Sequence, residues 1–140
     1  MTTVCTLADG VLEQFREWKK PRTLANAAFI MKVDVKTQKI VVDQVLSDVT
    51  IEDLQEEMPS AVPRYIVFAY RHVHKDERVS YQLVFIYYAP PQIKPELAML
   101  YSSSLQRLYS QLEIQKVFDA RKPSELNEKW LLDKLAYFGL

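Results

Sequence analysis

Leu83-Val84-Phe85-Ile86-Tyr87-Tyr88 is an unbroken apolar run closed by Ala89-Pro90-Pro91. Such a run predicts a strand buried on both faces, and proline, which cannot donate to a sheet ladder, ends it. Pro95 suits the first turn of a new helix, where its missing N–H matters least. From there Leu97, Tyr101, Leu105, Leu108 and Leu112 recur at helical spacing and predict a core-facing stripe. At about 100° per residue, Met99, Ser103, Gln106 and Ser110 point away from that stripe, with Glu96, Ser102 and Arg107 beside them. This outward face combines a flexible thioether with small residues and few charges. It fits close approach by a partner as well as plain solvation.

The rest of the pattern surrounds this pair. Asp9 is placed to cap a helix with apolar positions Val11, Leu12, Phe15 and Trp18. Ala27 to Val33 and Lys39 to Val45 predict two strands of a hairpin turning through Asp34 to Gln38. Ser47 or Thr50 begins a short acidic helix, Ile51 to Met58, with Leu54 and Met58 inward. Tyr65 to Tyr70 predicts a third strand, joined to the apolar run by the polar stretch from His72 to Arg78. So short a connection implies an antiparallel pair. Ile114 to Ala120 predicts an edge strand, and Pro123-Ser124 opens a last helix, with Ser124 as cap, running through Trp130, Leu131, Leu135 and Phe138. A central mixed sheet sandwiched by helices, α/β in content and α+β in order, buries all these surfaces. Residues 1–6 are expected to be a flexible tail and 7–140 a single domain.

Composition narrows the chemistry. Lys and Arg number 18 and Asp and Glu 18, so no net field draws the chain to nucleic acid or an anionic membrane. Gly10 and Gly139 are the only glycines, which argues against phosphate-cradling loops. The lone Cys5 forms no internal disulfide and fits a reducing compartment. No signal peptide or membrane-length apolar run is present, so a cytoplasmic protein is expected.

His72 and His74 share a face if they lie in a strand, yet zinc would want further ligands. Ser102-Ser103-Ser104 falls inside a helix rather than at a nucleophile elbow. Glu52, Asp53, Glu56 and Glu57 form a solvated acidic face without the spacing of paired acid–base carboxylates. The expectation is a binding protein, not an enzyme, with no cofactor and no metal; a small hydrolase built on His72 is the distant alternative. The basic cluster Arg16, Lys19, Lys20 and Arg22 partly reflects favourable helix-end electrostatics and is also a candidate binding patch.

Longer blocks carry a resemblance. Leu83 to Ile86 followed by Met99-Leu100-Tyr101-Ser102-Ser103-Ser104 resembles the strand and long helix of the actin-depolymerising-factor homology fold. Asn26 to Asp34, Pro63 to Val67, Arg78 to Tyr81 and Lys116 to Arg121 are similar to the glia-maturation-factor branch of that family. The similarity runs from about residue 7 to the C-terminus. It implies a monomer that binds the actin-related-protein branching complex through an actin-like subunit, inhibits branch nucleation and detaches branches, at the cell cortex or lamellipodium. It places Met99, Ser103 and Arg107 on the docking helix, together with the N-terminal segment and the loop before the last helix. The basic residues Arg16, Lys19, Lys20 and Arg22 lie where family members carry an N-terminal basic patch. Cofilins carry lysines where this chain has Glu96 and Ala98, and the family often has lysine where this chain has Leu105. Weak or absent actin binding is therefore expected, with cofilin-like monomer or filament binding as the alternative. The hairpin end, His72, His74, Lys75, Asp76, Glu77 and Arg78, is a candidate second contact, and Thr2 and Thr3 are candidate phosphorylation sites.

Overall fold

The computed structural model describes residues 4–20 and 26–139. They form a six-stranded sheet in the order β1-β3-β2-β4-β5-β6, built from β1 (Thr6–Leu7), β2 (Ala27–Asp34), β3 (Lys39–Ser47), β4 (Arg64–Val73), β5 (Val79–Tyr88) and β6 (Val117–Ala120). The pairs β1–β3 and β5–β6 are parallel and the rest antiparallel, which makes the sheet mixed. Three α-helices, α1 (Val11–Lys19), α2 (Pro95–Gln111) and α3 (Glu128–Ala136), cover it, and a 3₁₀ turn spans Glu52–Glu57.

Alternation along β4 and β5 divides the core. Ile66, Phe68, Val84, Ile86 and Tyr88 face Leu54, Leu126, Leu131 and Leu135 on one side. Tyr65, Val67, Phe85 and Tyr87 face Phe15, Tyr101, Leu108 and Leu112 on the other. A strand period of two sends neighbours to opposite faces, and with helices on both faces neither set can be polar. Trp18 and Phe15 close the α1 side against Phe29, with ring centroids 5.5 and 5.4 Å away.

Some boundaries differ from expectation. Cys5 is buried and Thr6–Leu7 pair with Lys39 and Ile40, so the packed chain begins before residue 7; two residues are too few for a periodic signal. Asp9 makes no capping bond: α1 opens from Gly10, whose φ of 87° only glycine adopts without strain. Thr50, not Ser47, opens the acidic turn, as Asp53 N–H donates to its hydroxyl at 3.1 Å and its own N–H to the Asp53 carboxylate at 2.8 Å. Asn127 rather than Ser124 caps α3, accepting from Trp130 N–H at 2.8 Å; Pro123 to Glu125 is a separate 3₁₀ turn.

The larger difference is the β4–β5 hairpin. The turn is short, yet β4 continues to Val73 and β5 begins at Val79. β2 accompanies β4 only over Tyr65 to Ala69, and β6 meets β5 only from Phe85. The outer part is therefore a two-stranded ribbon standing clear of the sheet. His72, Ser80 and Gln82 disguise these strands as loop because a ribbon with two wet faces needs no apolar alternation.

Candidate functional site

Lys94 is extended and Pro95 occupies the first turn of α2. The inward stripe lies as its spacing requires: Tyr101, Leu108 and Leu112 are buried, while Leu97 and Leu105 pack at the edge of the same core. Glu96, Met99, Ser102, Gln106, Arg107 and Ser110 are exposed, and Ser103 is half-buried. Met99 is the most prominent, with 58% of its surface accessible. The Ser102 and Ser103 hydroxyls donate to the helix carbonyls of Met99 and Leu100 at 3.3 and 3.2 Å. They therefore present a smooth, small-residue surface around the thioether.

Beside Met99 lies an open groove of about 400 Å³, lined by Pro90, Pro91, Ile93, Ala98, Ser102 and Arg121 among others. Its walls come from the end of β5, the start of α2 and the segment after β6. Sequence spacing along one helix cannot reveal Arg121 and Ile93 as neighbours of Met99. The Pro90-Pro91 pair was the available signal, since a proline-stiffened turn must lie against whatever follows it. Tyr87 also reaches this groove, and burial, followed by the Asp119 charge, pushes its phenol up to about 12.

The other predicted groups do not line the Met99 groove, although Arg16 and Lys19 share a small recess with Gln111 and Leu112 at the C-terminal end of α2. Arg16 on α1 and Lys20 just past its end are exposed, but Lys20 pairs with Glu17 at 2.9 Å and the Lys19 ammonium sits 5.6 Å from the Phe15 ring centroid. The Glu17 carboxylate thus offsets part of the charge of the described patch. Arg22, Thr2 and Thr3 lie outside the described residues.

The ribbon end is built for shape. His72 and His74 share a face, their rings edge-on at 4.5 Å, and His74 Nε2 is hydrogen-bonded to Ser80 Oγ at 2.9 Å. Asp76 holds the turn: its carboxylate accepts from Arg78 Nε at 2.7 Å and Arg78 N–H at 3.2 Å, and these bonds keep it below the usual carboxylate range. Glu77 adopts a φ of 70°, and Lys75, Glu77 and Arg78 are exposed. On the opposite face Val73, Val79 and Tyr81 are 51%, 41% and 37% exposed, an apolar set that the polar residue types around it had concealed. No group of three or more His, Cys, Asp or Glu side chains is placed to hold a metal among the described residues. At about 3.3 Å per residue, the length of β5 puts the ribbon end about 30 Å from the Met99 groove.

The chain matches the cofilin/tropomyosin-type actin-binding protein family over residues 4–136. It is 39% identical to glia maturation factor beta of Mus musculus over 135 residues, covering 96% of this chain and 95% of that protein. It is 35% identical to glia maturation factor of Drosophila melanogaster, covering 94% and 96%. The solution structure of glia maturation factor from Caenorhabditis elegans superposes with a TM-score of 0.81 at 33% identity, covering 94% and 96% of the two chains. The packed sheet, the long helix beside its central strands and near full-length similarity agree: the chain belongs to the glia-maturation-factor branch of the cofilin/tropomyosin-type actin-binding family.

Proposed function

We propose that this protein binds the actin-related-protein branching complex, docking the outward face of α2 on an actin-like subunit, and so suppresses branch nucleation and detaches existing branches. The observation that carries the reading is Met99, 58% exposed among small residues and flanked by the Pro90–Arg121 groove. An apolar, adaptable side chain held on a rigid helix beside a recess is the form of an interface anchor. Glu96 and Ala98, where cofilins carry lysines, favour the branching complex over actin itself. Arg16, Lys19 and Lys20 contribute electrostatic attraction at the edge, acting mainly on encounter rates. The protein would work as a cytoplasmic monomer at the actin-rich cortex; no helix of the described residues is long and apolar enough to cross a membrane.

The ribbon supports the second half of the activity. Detaching a branch calls for a second contact, and the ribbon presents Val73, Val79 and Tyr81 far from α2. The same length favours an alternative, binding to actin filaments in the cofilin manner. Pull-down of purified branching complex beside co-sedimentation with actin filaments separates the two. Saturable capture of the complex with little filament binding is expected; the reverse pattern refutes the proposal.

A further inference from the structure

α2 is fastened to the rest of the fold by hydrogen bonds in a layer that is otherwise apolar. Ser104, fully buried at the centre of the helix's inward stripe, stands where spacing calls for a hydrophobic residue. Its Oγ accepts from Cys5 N–H at 2.7 Å and donates to the Leu100 carbonyl at 2.9 Å. One turn earlier, Tyr101 Oη accepts from Val33 N–H at 2.9 Å, and the Tyr101 carbonyl accepts from the Tyr65 hydroxyl at 2.6 Å. Within four residues the helix is joined to the N-terminal segment, to β2 and to β4.

We infer that Ser104 and Tyr101 are positioning residues, forming a polar pin beneath α2 that fixes its roll and axial register and so aims Met99, Ser103 and Arg107 at the partner. Apolar packing is non-directional, so a stripe of leucines alone lets a helix roll at small cost. A hydrogen bond weakens steeply once bent or stretched, and a buried one cannot be replaced by water. The leverage is large. Side-chain tips lie roughly 5–6 Å from a helix axis, so a roll of about 20° moves Met99 by about 2 Å. That displacement is enough to unseat an anchor from its recess. The bond to Cys5 also ties the N-terminal segment to the same helix, so the two present one continuous face.

This inference rests on α2 being the docking helix, and the test separates the two. Ser104→Ala and Tyr101→Phe each delete one hydroxyl at nearly constant volume. Full-length variants would be compared with Met99→Asp for affinity toward purified branching complex, at a temperature where far-UV circular dichroism gives native helix content. Both hydroxyl deletions should weaken binding about fivefold or more, and speed amide exchange at Cys5 or Val33. In a Met99→Ala background their effect should shrink to about twofold, the non-additivity expected when one residue acts through another. If folded Ser104→Ala and Tyr101→Phe bind like the wild type while Met99→Asp does not, the pin is structural only and the inference fails. If Met99→Asp itself binds normally, the docking-helix reading falls, and this inference with it.

Discussion

Met99→Asp tests the outward face most directly. Met99 is 58% exposed, so less than half of its side chain contributes packing in the free protein. Aspartate costs a few tenths of a kcal/mol in intrinsic helix preference, and about the same again from like charge with Glu96 one turn earlier. With the lost packing, destabilisation of about 1–1.5 kcal/mol is expected, small beside the roughly 5–15 kcal/mol of a typical domain. Binding should respond far more. A carboxylate enclosed by an interface without a partner loses its hydration, and replacing a central anchor typically costs about 2 kcal/mol or more, equal to a roughly 30-fold loss of affinity. Urea unfolding followed by circular dichroism gives the first quantity, and titration against fluorescently labelled branching complex the second. A variant that unfolds near the wild-type midpoint and binds within about threefold of wild type would refute the assignment. One that loses most of its stability would instead reveal packing that the exposure of Met99 does not account for.

Three further outcomes follow from the geometry. Asp43 accepts from Arg64 Nε at 3.0 Å with both side chains largely buried, and Lys32 lies 3.7 Å away; Asp43→Ala should cost about 1–2 kcal/mol by urea unfolding, reflecting a partly buried cation left unpaired, and Asp43→Asn less. On the ribbon, Lys75→Ala with Glu77→Gly should leave affinity for the soluble complex unchanged yet prolong branch lifetimes in filament imaging; Asp76 must be kept because it holds the turn, and equal lifetimes at saturation would exclude a second contact. Burial raises Tyr65, Tyr70, Tyr87, Tyr88 and Tyr101, with Tyr87 pushed up to about 12. Above pH 10 the unfolded chain therefore loses phenolic protons that the folded chain keeps, so stability is intact below pH 10 and falls as pH rises toward 12; a flat urea midpoint over that window would contradict this burial.

Asp43 also exemplifies how the sheet protects its side. β3 meets β1 only at Lys39 and Ile40, so among the described residues most of its outer edge has no strand beside it. The register shifts between Ile30 and Met31, which pair with Gln44 and Val42 and leave Asp43 as the bulged residue. A bulge carrying a carboxylate turned toward Arg64 and Lys32 is a known defence of an open edge against further strand pairing.

Local periodicity alone specifies several parts of the fold. Leu83 to Tyr88, buried on both faces, and the stripe from Leu97 to Leu112 are legible because burial selects residue type at every second or every third to fourth position. The outward set from Glu96 to Ser110 follows from the same helical geometry, and several separated blocks were enough to place the chain in its family. Wherever two distant segments meet, local pattern is silent and long-range packing sets the outcome. β1 owes its existence to β3, and the strands of the ribbon to each other, since backbone pairing leaves no mark on residues whose side chains stay in water. Arg121 joins the Met99 groove because parallel pairing sets β6 beside β5, with α2 as the crossover between them. Ser104 illustrates the limit best: helical spacing sets it apart from the outward Ser102 and Ser103, but only the fold brings the Cys5 amide to its hydroxyl. A hydrogen-bond partner nearly a hundred residues away is a property of the fold, not of any window along the chain.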